Sequence, residues 1–161
     1  MLIMIHLKNA VSKPIVLPKR HKKSIKKKID IATSFDVIEH TLKPRHFLAE
    51  IAALLAKNGL LIVSTPNRKD AMIEIGGETY QQFFYRTHHR WYFDLKSLIT
   101  CAQLAGLEVV KTHCIQRYGL SNAINWIKYG RPCGTSKIKV IDSPIIDEVW
   151  KRQLEISGSG D

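Results

Sequence analysis

Several things this sequence lacks narrow its reading before any motif is found. It has three cysteines, Cys101, Cys114 and Cys133, widely spaced and with no C-x-x-C pair. A disulfide framework or a cysteine-based zinc site is therefore not expected, and reduced, buried thiols are. No apolar run approaches the roughly 18 residues that a membrane span needs. The opening Met1-Leu2-Ile3-Met4-Ile5 is apolar, but His6 and Lys8 end the run too early for a signal-peptide core. A cytoplasmic chain without a membrane span is the expectation. Acids are absent from residues 1–28, which hold nine Lys/Arg, and no glycine occurs before Gly59.

The charge is correspondingly lopsided. The net charge is +11, from 25 basic and 14 acidic residues. Setting aside the nine basic residues of 1–28 leaves 16 basic and 14 acidic, a net of +2. Lys19-Arg20-His21-Lys22-Lys23-Ser24-Ile25-Lys26-Lys27-Lys28 is too charged to bury itself, so disorder is its default state. Such an arm suits an anionic surface, yet it carries no aromatic side chain for stacking on single strands, and nucleic acid is not the expected partner. The chain is read as a basic arm, 1–28, followed by a folded body, 29–161.

The body is patterned. Ile29–Phe35 reads as a strand. Pro44 suits a first helical turn, with Phe47, Leu48, Ile51, Leu54 and Leu55 on one face and Asn58-Gly59 as the stop. Leu60-Leu61-Ile62-Val63 is a continuous apolar run of the kind buried in parallel sheets. A loop containing Gly76-Gly77 follows. Asp94 then caps a helix through Leu104, Gly106 ends it, and Leu107–Thr112 is a further strand. Ser143-Pro144 opens a last helix. Alternation of strands and helices at these lengths predicts an α/β sheet with right-handed crossovers.

The stretch Ser34-Phe35-Asp36-Val37-Ile38-Glu39-His40, then Pro44, an amphipathic helix, Lys57-Asn58-Gly59 and Leu61-Ile62-Val63-Ser64-Thr65-Pro66-Asn67, resembles one family. It is similar to the fourth-to-fifth-strand block of Rossmann-like S-adenosylmethionine (SAM)-dependent methyltransferases, in the branch that includes ubiquinone-type O-methyltransferases. Phe93–Leu98, Ala105–Val109, Arg117–Asn122 and Gly130-Arg131-Pro132 fit later parts of that family, so the resemblance covers about residues 29–155. It implies transfer of a methyl group from SAM to a small-molecule acceptor. It also implies a glycine-rich turn and an acidic ribose ligand ahead of this block, which this sequence does not contain. The chain thus reads as the C-terminal half of an incomplete Rossmann-like sheet with flanking helices, its N-terminal strands missing. A protein partner supplying those strands, with this chain as a non-catalytic interaction module, is the rival expectation.

The resemblance assigns Phe35, Asp36, Val37 and Ile38 to the methionine side of SAM. Asp36, Glu39 and His40 stand at i, i+3 and i+4, on one face of any helical turn. His40 is a candidate base for an acceptor proton. Asp36, Glu39 and His40 are a candidate divalent-cation set, a pattern the resemblance also suggests, and hydrogen bonding alone is the third reading. His88, His89 and Tyr92, in a polar-aromatic loop, are candidate acceptor contacts. Adjacent histidines usually diverge, so both ligating one metal is not expected.

Overall fold

The computed structural model describes residues 2–9, 28–133 and 138–159. Its frame is a four-stranded mixed sheet in the order β2-β3-β1-β4. The strands are β1 (Leu2–Asn9), β2 (Ile29–Phe35), β3 (Leu55–Pro66) and β4 (Leu107–Ile115). β2 runs parallel to β3, with α1 (Pro44–Leu54) as the crossover, while β1 lies antiparallel to both β3 and β4. The architecture is α/β, as the alternating pattern predicts.

Strand β1 departs from the expected arm. Ile5 and Leu7 are fully buried and alternate with half-buried His6 and Lys8, the period-2 pattern of a strand with an inner face. Residues 2–9 therefore belong to the middle of the sheet. The basic run of 10–27 lies outside the described residues, and Lys28 donates from Nζ to the Ala53 carbonyl at 2.6 Å.

Two further expectations change. α1 ends at Leu54, because Leu55 turns extended and pairs with Ile29. Asn58, at φ 65°, and Gly59 lie within β3, where the register with β2 skips from Leu55 to Leu60. A Cβ on Gly59 would sit 2.9 Å from the Ile29 carbonyl oxygen, so the close approach needs glycine there. The Gly76-Gly77 segment joins two helices, α2 (Ala71–Ile75) and α3 (Gly77–Phe84), instead of forming a loop. Beyond them come α4 (Leu95–Leu104), α5 (Leu120–Tyr129) and α6 (Pro144–Ser157). Asp94 caps α4 with a reciprocal bond to Ser97, and Gly106, at φ 80°, ends it.

Two cores result. The larger is aliphatic and joins the sheet to α1 and α4 through Ile5, Leu7, Ile38, Leu48, Leu61, Val63 and Leu98. The smaller is built on Met72, Tyr80, Phe84, Ala123 and Trp126, with Tyr92, Leu120 and Trp150 against it. The three cysteines are free and half-buried, and burial pushes the Cys101 and Cys114 thiols up. Among the described residues, no helix is long and apolar enough to cross a membrane.

Candidate functional site

The parallel strands β2 and β3 both end at one rim of the sheet, the edge where open α/β sheets bind ligands. At the end of β2 the chain turns through Asp36, which adopts φ 54° and donates its N–H to the Ser64 carbonyl at 3.1 Å. A left-handed Asp is uncommon but tolerated, and such conformations gather at functional sites. The turn leads into a single 3₁₀ turn, Ile38–His40.

That turn is clamped to the loop ahead of α4. The Glu39 carbonyl accepts from the Arg90 and Trp91 N–H groups at 2.8 and 3.1 Å. The Trp91 indole donates to the Thr41 carbonyl at 2.8 Å, and His40 Nδ1 lies 3.0 Å from the His88 carbonyl. A carbonyl only accepts, so Nδ1 of His40 is the donor in this contact. The loop itself is folded by a turn in which His89 N–H reaches the Arg86 carbonyl at 3.1 Å.

These bonds gather the histidines. One nitrogen of each of His40, His88 and His89 lies within 4.8 Å of the others. The ring centroids of His88 and His89 are 4.7 Å apart at an interplanar angle of 83°, and each faces His40. The divergence expected of neighbouring histidines is therefore not found: the Arg86–His89 turn curls both rings toward His40.

Glu39 stands at the base of this corner, with its side chain 2% exposed. The Thr65 hydroxyl donates to Oε2 at 3.0 Å, while Oε1 has no hydrogen-bond partner and lies 3.8 Å from His40 Nε2. Burial pushes the Glu39 carboxyl above the usual carboxylate range. Burial, with His40, His88 and Arg86 nearby, holds His89 below its ordinary value.

The corner forms one wall of a pocket of about 430 Å³. That is within the roughly 300–1,000 Å³ of small-molecule sites. Asp36, Glu39, His40, Pro66, His88 and His89 line the sheet side. Its lining also includes the aromatic side chains Tyr80, Phe83, Phe84, Tyr118 and Trp126, together with Arg86, Arg117 and Asn122. Arg117 approaches Asp36 at 4.0 Å, and the Arg86 guanidinium stacks 4.3 Å from the Phe83 ring centroid. Sequence reading missed this aromatic wall. Tyr80, Phe83 and Phe84 stand at i, i+3 and i+4, a helical stripe that could have shown it.

Of the residues assigned to the cofactor, Phe35, Asp36 and Val37 are exposed at the strand end, whereas Ile38 is fully buried in the main core. The Ile38 side chain is thus structural. Tyr92, expected to touch the acceptor, packs on the smaller core and donates to the Arg86 carbonyl at 3.0 Å.

A parallel strand pair with its crossover helix and a ligand-sized pocket beyond the strand ends defines a Rossmann-like α/β protein. The sequence profile of a methyltransferase-domain family matches residues 6–112, and the chain belongs to that family. Its relatives include a ubiquinone biosynthesis O-methyltransferase of Caulobacter sp. (strain K31), 38% identical over 87 residues, covering 52% of this chain and 34% of that protein. A protein of the same description from Bradyrhizobium diazoefficiens is 35% identical over 69 residues, 41% of this chain and 27% of that one. A probable S-adenosylmethionine-dependent methyltransferase of Mycobacterium tuberculosis is 48% identical over 40 residues, 25% and 15% of the two chains. The chain therefore spans about a third or less of the length of these relatives. No solved structure matches it.

The family implies SAM. Of Phe35, Asp36, Val37 and Ile38, Asp36 alone lines the pocket, while Phe35 and Val37 are exposed at the strand end. With no glycine before Gly59, no glycine-rich turn precedes β2 in this sequence.

Proposed function

We propose that this pocket serves SAM-dependent methyl transfer to the hydroxyl of a small, flat, largely apolar acceptor. The reading is carried by one observation: imidazoles, a buried carboxyl and several aromatic rings line one ligand-sized pocket at the ends of two parallel strands. The relatives described as O-methyltransferases support an oxygen acceptor.

SAM, when bound, supplies an electrophilic methyl group. The chain's residues supply position and proton handling. Tyr80, Phe83, Phe84 and Trp126 hold an acceptor ring by area and by edge-to-face contact. That placement sets the attacking oxygen in line, where orientation does most of the catalysis. His40 Nε2 takes the hydroxyl proton, and Glu39 Oε1, 3.8 Å from that nitrogen, lies close enough to stabilise the charged ring. His40→Ala should lower kcat by about 10²–10⁴ with labelled SAM and a panel of phenolic acceptors. A variant that keeps full turnover removes His40 from the mechanism.

A second reading is favoured by β2. Among the described residues it pairs only with β3, and Ile31 and Phe35 are 64% and 51% exposed. Such an edge invites a further strand from a partner carrying the glycine-rich turn. In that reading this chain is an interaction module.

A further inference from the structure

Three observations converge on the histidine corner. One nitrogen of each imidazole lies within 4.8 Å of the other two, on residues brought together from two separate segments. Buried, unpartnered polar atoms are rare and cost about 1–3 kcal/mol each. Yet two occur here: His89 Nδ1 and Glu39 Oε1, the latter on a side chain 2% exposed and aimed at His40. Third, His40 rests its Nδ1 against a backbone carbonyl and leaves Nε2 3.8 Å from Glu39 Oε1. That outer hydrogen bond is the one that fixes the ring of a metal-ligating histidine.

We propose that His40, His88 and His89 together bind one divalent cation of the zinc, cobalt and nickel class, with the Glu39 carboxylate as its nearest counter-charge. Imidazole nitrogens suit these ions, whereas magnesium and calcium favour oxygen donors. The assignment differs from the Asp36, Glu39 and His40 set that sequence spacing suggests. Asp36 is turned instead to Arg117 at 4.0 Å and to the Ser64 hydroxyl at 3.4 Å. Bonds of roughly 2.0–2.1 Å to a zinc-like ion need the nitrogens somewhat closer than they stand. Rotation of the exposed His88 side chain supplies that adjustment.

Three protein ligands leave a fourth position open toward the pocket. A hydroxyl entering there meets a cation that lowers its pKa, so the cation takes over the proton step from His40. This consequence rests on the methyl-transfer reading above; the binding itself does not.

The test is a Co²⁺ titration of the chelator-treated full chain, followed by visible absorption, with Zn²⁺ competition and a Mg²⁺ control. We expect one equivalent of Co²⁺ to give the ligand-field band of a nitrogen-bound ion, displaced by Zn²⁺ and not by Mg²⁺. His88→Ala and His89→Gln should each weaken binding on the order of tenfold or more, and Asp36→Asn should change it little. Circular dichroism confirms that each variant is folded. A wild-type chain with no band, or a band unchanged in both histidine variants or lost in Asp36→Asn, overturns the site. No SAM or acceptor is needed for this readout. A chain that binds Co²⁺ but transfers no methyl group therefore sustains the site while the methyl-transfer reading fails.

Discussion

The two cores differ in kind. The sheet core is aliphatic and almost wholly shielded: Ile5, Leu7, Ile38, Leu48, Leu61, Val63 and Leu98 are each 0% exposed. The smaller core is aromatic and laced with polar groups, including Asp70, Ser121 and Asn125, and it turns Tyr80, Phe84 and Trp126 toward the pocket. Aliphatic packing is non-directional and tolerates any arrangement that fills space. Buried tyrosine and tryptophan need partners for their polar ends, which fixes their orientation. The first core holds the rim of the sheet in place. The second lines the pocket with oriented rings.

The comparison breaks most completely at β1. This strand pairs with β3 on one side and β4 on the other and contributes Ile5 and Leu7 to the larger core. Deleting residues 1–9 leaves β4 without a partner among the described strands and β2–β3 as a two-stranded ribbon, which is marginal in water. We expect loss of cooperative thermal unfolding. A truncated chain that still melts sharply would show that the aromatic core and its helices stand alone.

A smaller change isolates the aromatic side. The Tyr80 hydroxyl donates to Asp70 Oδ2 at 2.6 Å, and burial together with Asp70 pushes the phenol well up, so it remains a donor throughout the neutral range. Hydrogen bonds to charged groups contribute about 1.5–3 kcal/mol, so Tyr80→Phe should lower stability by about that amount in urea titration. Acceptor KM should rise more than kcat falls, because the ring stays while its orientation loosens. A change confined to kcat would place Tyr80 in the chemistry.

Much of the sheet side was legible in the sequence. Ile29–Phe35 and Leu60–Val63 announce strands, and Pro44, Asp94 and Gly106 mark helix ends by known capping chemistry. β1 was hidden because the alternation Ile5-His6-Leu7-Lys8 sits at the head of a strongly basic stretch, whose average charge masks a four-residue pattern. α5 was missed although Leu120, Ala123, Trp126 and Ile127 have helical spacing between Gly119 and Gly130. His40 was readable as a candidate site residue. Its pairing with His88 and His89 was not, since it depends on backbone bonds from Glu39 to Arg90 and Trp91 about fifty residues along the chain. Local pattern carries secondary structure; only the closed fold carries the geometry of a site.

The finest test separates the two regions at α4, which packs on the sheet core through Leu98 and Ala102, while Asp94 caps it without lining the pocket. Asp94 accepts from the Ser97 N–H at 2.8 Å and from its hydroxyl at 2.7 Å, and these bonds hold its carboxyl below its ordinary value of 3.8. A depressed carboxylate stabilises the fold above its unfolded pKa, and that contribution fades as pH falls through the folded value. Asp94→Ala should therefore cost about 0.5–2 kcal/mol at neutral pH. The gap between variant and wild type should narrow only on acidification below about 3.8. Acceptor KM should stay unchanged, because the cap acts on the frame and the aromatic wall is anchored elsewhere. If KM moves with Asp94→Ala, the frame and the pocket wall are mechanically coupled, and the division of labour between the two cores does not hold.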